Sequence, residues 1–217
     1  CSISTLAKDL RQRLTNMEDW KLDPVNYTIQ EVAEKARRFL FEEVFENLQD
    51  KPPAPHAFEF WIGGNDANTT HGEIWKVSIV DGSSPPPERA AGRDDFGILF
   101  SGQPEALNRL VVGFSQKLPS ALIDMGVKPE DIASVLQRIQ SVTYEPLAHP
   151  AMPVQDAIDL SDFLVETAKR FVRFQLGADT VGGATDICVV TKHEGFKWIR
   201  RKHHYSIELN PIGASHG

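Results

Sequence analysis

Apolar residues recur along this chain at two periods, and the changes between them mark out its elements. Leu6, Leu10 and Leu14 lie one helical turn apart, with Lys8, Arg11, Gln12 and Arg13 on the other side, which predicts a short helix from about Thr5. Thr28 followed by Glu31 is a capping-box signature, because the threonine hydroxyl can accept the third amide of a helix while the glutamate reaches back. Ile29, Val32, Ala33, Ala36, Leu40 and Val44 then form one apolar face. Lys51-Pro52-Pro53-Ala54-Pro55 stops that helix, near Gln49.

The period then drops to two. Phe58, Phe60 and Ile62 alternate with Glu59 and Trp61 until Gly63-Gly64 closes the run, and residues 73–79 alternate again after a polar turn, so the pair reads as an antiparallel hairpin. Residues 82–92, with three successive prolines, read as a surface loop without an assigned role. Phe96-Gly97-Ile98-Leu99-Phe100 is expected to be a strand that runs into Ser101-Gly102-Gln103-Pro104-Glu105, where a helix starts. Ser101 or Gly102 can cap that helix, or Ser101 can present its hydroxyl at a strand-to-helix corner. Pro104 suits the first turn, and Glu105 complements the positive end of the dipole. Leu107, Leu110, Val111, Phe114 and Leu118 carry the helix onward, and a shorter one is expected over 129–139.

Val154, Ala157, Ile158, Ser161, Leu164, Val165, Ala168, Phe171 and Val172 make the face of a long helix that Gly177 ends. Gly182-Gly183 forms a turn, Ile187-Cys188-Val189-Val190 a strand apolar on both faces, and His193-Glu194-Gly195 a hairpin into Phe196-Lys197-Trp198-Ile199. Helices alternating with hairpins in this order suit an α+β fold in which helices cover antiparallel sheets.

Composition narrows the picture. A chain of 217 residues, 41% hydrophobic, can bury one sizeable core, and a single domain over 1–205 with a tail over 206–217 is expected. Two cysteines, Cys1 and Cys188, make no disulfide framework, and Cys188 reads as a buried thiol in its strand. No apolar run reaches the roughly 20 residues of a membrane helix, and no signal segment opens the sequence, so no membrane partner and a cytoplasmic location are expected. The net charge of -7 argues against a nucleic-acid partner, although Lys197, Arg200, Arg201, Lys202, His203 and His204 are locally basic and read as a solvated tail. His71 reads as a loop histidine. No phosphate-cradling glycine loop, paired metal-binding histidine motif or G-x-S-x-G elbow is present, so neither a cofactor nor a metal is expected.

The element order resembles the proteasome-type subunits of the N-terminal-nucleophile hydrolases and their bacterial relatives. Residues 1–49 look like that family's helix pair, residues 58–79 like its hairpin, and Phe100-Ser101-Gly102-Gln103-Pro104-Glu105-Ala106-Leu107 like its Ser-Gly corner. The last helix, the loop Thr180-Val181-Gly182-Gly183 and the run Asp186-Ile187-Cys188-Val189-Val190-Thr191-Lys192 look like its closing segment. The resemblance implies a four-layer αββα sandwich, a homo-oligomeric ring and a peptide or other amide substrate. It further implies that two N-terminal hairpins, on the order of 40 to 60 residues, are absent or belong to another polypeptide.

A terminal nucleophile of this kind needs its own α-amino group as base and a nearby cation. Cys1 is a candidate for it, as a terminal thiol beside its own amine, although a helical pattern begins within about five residues. By resemblance Ser101, Gly102, Asp179, Gly182 and Gly183 support the site. Active members carry Asp-x-x-Ser-Gly-Gly in the closing loop; here Ala178 and Val181 stand at the aspartate and serine, with Asp179 one position away. Two expectations follow: an amide-bond hydrolase of the N-terminal-nucleophile class, or a noncatalytic structural subunit of a proteasome-like ring.

Overall fold

The computed structural model describes residues 3–177 and 181–201. It mixes helix and antiparallel sheet, as the alternating periods require. Its contacts group into two compact units, residues 1–95 with 190–197, and residues 96–189 with 198–217.

The first unit is a layer of helix on a three-stranded sheet. Helix α1 spans Ile3–Asn16 and α2 spans Ile29–Arg37. The Thr28 hydroxyl accepts the Glu31 amide at 3.1 Å, as the capping box predicts, and the Asp66 carboxylate takes the Ile29 amide at 2.7 Å. Two of the orphan donors of α2 are thereby satisfied, one of them by a charge suited to the positive helix end. The helix continues as a π segment, Arg38–Phe45, in which the Glu46 amide reaches back to Phe41 at 2.9 Å. This i→i+5 pattern turns Phe39, Leu40 and Phe45 into the core together with Trp20, Ala36 and Ile79.

Strands β1, Ala57–Asn65, and β2, Gly72–Val80, pair antiparallel with Phe60 opposite Val77 and Ile62 opposite Trp75. A third strand, β3, Glu88–Ala91, lies within the segment read as a loop and pairs with the other edge of β2. Its four residues carry no clear alternation, so only the long-range pairing reveals it. Gly63-Gly64 continues β1 rather than closing it, and the reason is packing. A Cβ on Gly64 would lie 2.7 Å from the Ile29 Cδ1, so a side chain there would crowd the start of α2. Among the described residues, every fully enclosed apolar position of this unit lies between α2, its π extension and the sheet: Ala33 and Ala36 at 0% exposure, Val77 at 0% and Ile79 at 2%. Arg13 lies over Trp20 and Phe39, 5.2 and 4.8 Å from the ring centroids, and pairs with Glu43, so the core is bounded by a cation on aromatic faces.

The second unit is mainly helical. Residues 96–100 do not form the expected strand. Ile98 and Phe100 instead pack against Leu107, Val111 and Leu164, and among the described residues no strand pairs with them. The helix that follows is short: α3, Glu105–Leu107, widens into a π turn, Asn108–Val112, and ends at Gly113 with φ +92°. Pro104 is its N-cap residue and no side chain caps it, so the capping role expected of Ser101 or Gly102 is not realised.

Glu105 turns forward instead. It accepts from the Ser115 hydroxyl at 2.6 Å, the Gln116 amide at 2.9 Å and Arg109 at 2.7 Å. These bonds, Ser115 foremost, lower its carboxyl to about 2. They fold the chain at Gly113 into α4, Leu118–Asp124, so the single helix predicted through Leu118 becomes two. A 3-10 turn, Pro129–Asp131, leads into α5, Ile132–Thr143, and α6 runs Val154–Arg173. The Thr143 hydroxyl donates to the Val112 carbonyl at 2.9 Å and locks α5 to the turn at Gly113.

Strands β4, Ile187–Thr191, and β5, Gly195–Arg200, form a separate two-stranded sheet. Only Ile187 of β4 is buried. Cys188 is exposed and free, contrary to the buried thiol expected, because an apolar run identifies a strand and not the layer that covers it.

Candidate functional site

The long helix α6 carries two faces. Leu160 and Leu164 point into the core with Leu107 and Val111. Asp162, Glu166, Lys169, Arg170 and Arg173 recur on the polar side at intervals that put neighbours one turn apart. The chain emerging from the glycine-pair loop docks on this polar side. Glu166 accepts from Lys169 at 2.5 Å and from the Thr185 hydroxyl at 2.9 Å, and Lys169 Nζ lies 3.4 Å from the same hydroxyl. Arg200 of β5 spans Asp162 with both terminal nitrogens, one contact at 3.0 Å, and donates from Nε to the Thr185 carbonyl at 3.0 Å. One hydrogen bond, from Thr185 to Glu166, and one ion pair, from Arg200 to Asp162, therefore tie these two residues to the same helix.

The electrostatics follow from these contacts. Lys169, then Thr185, holds the Glu166 carboxyl below its usual range, and Arg200 does the same for Asp162 while Asp162 raises Arg200 in return. A carboxylate so stabilised is a poor general base. Thr185 is therefore a brace with a cation next to it and not an activated nucleophile.

A cleft of about 370 Å³ opens beside this network. Glu166, Lys169, Arg170 and Arg173 line it together with Val181, Gly182 and Gly183. Of the residues expected to support a site, Gly182 and Gly183 thus share a cavity, and Gly183 has φ +79°. Ser101 and Gly102 sit in an exposed turn ahead of α3, Gly102 with φ +88°, and do not line this cleft. Cys1, Ala178 and Asp179 lie outside the described residues, as do Lys202, His203, His204 and the tail over 206–217.

The first unit has a larger cavity, about 590 Å³, lined in part by His71, Glu73, Arg93, Asp95 and Lys192. Most of its charges are already engaged. Lys192 donates to the carbonyls of Asp66 and Ala67, each at 3.1 Å, Asp95 accepts the Gly92 amide at 2.8 Å, and Glu73 accepts from the Trp75 indole at 2.9 Å. These groups hold the ends of β1, β2 and β3 together.

Among the described residues no group of three His, Cys, Asp or Glu side chains could hold a metal, and no helix is long and apolar enough to cross a membrane. The polar side of α6 was readable in principle. Asp162, Glu166 and Lys169 at spacings of four and three are a charge stripe, but the apolar face of the same helix dominates the pattern, and the partner Thr185 is fixed only by the fold. No family model, no curated protein and no solved structure matches this chain.

Proposed function

We propose that this chain is a proteasome-type subunit of the N-terminal-nucleophile class that hydrolyses peptide or other amide bonds, built on a four-layer αββα sandwich and assembled into a homo-oligomeric ring. The order of elements supports the reading: a helix pair, an antiparallel hairpin, a Ser-Gly turn entering a helix, a last long helix, a glycine-pair loop and an apolar strand. The observation that carries it is the cleft between α6 and Gly182-Gly183, where two residues without side chains let an extended substrate backbone approach closely. In this reading the nucleophile is a terminal threonine, serine or cysteine, with Cys1 one candidate and a residue generated by processing the other.

Val181, at the position where active members carry serine, favours a second reading, a noncatalytic subunit of such a ring. One experiment separates them. N-terminal sequencing and intact mass define the mature terminus of the purified full-length protein, which is then incubated with fluorogenic peptide amides and sized by light scattering. Hydrolysis that disappears when the mapped terminal nucleophile is changed to alanine supports the enzyme. A ring-sized particle without hydrolysis supports the structural subunit, and an inactive monomer removes both.

A further inference from the structure

We propose that the cleft at the end of α6 binds a phosphate group, either free phosphate or a phosphate monoester, through Arg170 and Arg173. Both side chains line the cleft, and among the described residues neither makes an ion pair or a hydrogen bond. The third cation there, Lys169, is already balanced by Glu166. Among the described residues the four charged side chains of the cleft are thus three cations and one anion, a local excess of positive charge on a chain whose net charge is -7. An anion arriving at this protein is repelled on average and attracted here, which is the condition for selective capture.

The donor set favours phosphate over carboxylate. Two guanidinium groups offer planar forks that match the three oxygens of a phosphate monoester, whereas a carboxylate is filled by one fork. Gly182 and Gly183 also line the cleft, and neither main-chain amide donates to an acceptor among the described residues. Nothing within 4 Å occupies the space a Cβ would fill at either glycine, so an anion can approach the main chain directly. The arginines also complement the negative end of α6. That role needs neither a cavity nor main-chain amides lining it, and here both are present. The site lies in the same cleft as the substrate approach of the hydrolase reading, but it rests on the arginines and the unpartnered amides alone, so a failed peptidase assay leaves it standing.

The test is titration calorimetry on the full-length protein at low ionic strength with inorganic phosphate, phenyl phosphate and acetate in separate arms. Saturable binding of a phosphate probe is expected, and the R170Q/R173Q double variant should weaken it roughly tenfold or more, the loss of charge-assisted bonds from two guanidinium groups. K8Q/R11Q removes the same charge from the exposed side of α1 and should leave the affinity within about twofold. Circular dichroism confirms that both variants are folded. Tighter binding of phenyl phosphate assigns an organic ester, and tighter binding of inorganic phosphate the free ion. No saturable phosphate binding, equal weakening in both variants, or acetate binding as tightly as phosphate would overturn the proposal.

Discussion

Helix α2 with its π extension and helix α5 are both amphipathic, yet they end in different circumstances. The first is pressed onto a sheet and encloses Ala33, Ala36, Phe39, Leu40 and Phe45, while no residue of α5 is buried and Val142 is 82% exposed. Equal periodicity therefore does not mean equal burial. A stripe of apolar residues states that a helix has an inner face; whether that face is covered depends on partners distant in the chain. The first unit supplies such a partner in β2, whereas the second fixes its turns chiefly by hydrogen bonds at Glu105 and Thr143.

The contrast can be broken most sharply at Phe39, 3% exposed beside Trp20 and beneath Arg13. Phe39→Ala should cost about 3–5 kcal/mol, combining lost transfer energy with a cavity, and guanidinium unfolding followed by tryptophan fluorescence measures it. A loss below about 1 kcal/mol would mean that the first unit is no better packed than the second.

Next comes Gly113→Ala. Its φ of +92° disfavours any side chain, and the new Cβ would stand 2.6 Å from the Thr143 carbonyl oxygen and clash with the Thr143 side chain. Strain alone is worth about 1–3 kcal/mol, so a loss of at least about 2 kcal/mol is expected in thermal melts followed by circular dichroism. A neutral result would show that the turn into α5 is not the fixed point of its unit.

Glu105→Gln should cost about 1–3 kcal/mol through weakened bonds to Ser115, Gln116 and Arg109. Its pH dependence sharpens the test. The folded carboxyl sits at about 2 against an ordinary 4.5, so its stabilisation is fully present above the ordinary value and is lost as pH falls through the folded one. Urea midpoints of the wild type should fall across that window more than those of Glu105→Gln, and parallel curves would remove Glu105 as the clamp. The smallest effect is expected at Val142, where Val142→Gln should change stability by less than about 0.5 kcal/mol in the same assay. A larger loss would reveal a partner that covers α5.

The sequence was most legible where signals were local. The cap at Thr28, the helix it begins, the β1–β2 hairpin and α6 are each written in neighbouring residues, and each formed. What failed depended on remote partners. Residues 96–100 read as a strand but pair with none among the described residues, β3 has no pattern of its own, and Cys188 is exposed in an apolar strand of which only Ile187 is buried. In the candidate site the glycine pair was visible as a turn. The cations that share its cleft were not, because their grouping with Val181–Gly183 follows from how the loop returns along α6.

The π segment at Arg38–Phe45 has a consequence for insertions and deletions. An i→i+5 ladder holds more residues per turn than an α-helix, so this stretch carries slack in chain length. A chain one residue shorter here could rewind as ordinary α-helix and remain helical, but the face that follows would rotate. Phe45 now stands 5.6 Å from the His56 ring and 6.4 Å from that of Phe58, and the rotation would carry it away from both. The aromatic cluster at the end of the helix is therefore specified by a count of residues as much as by their identity.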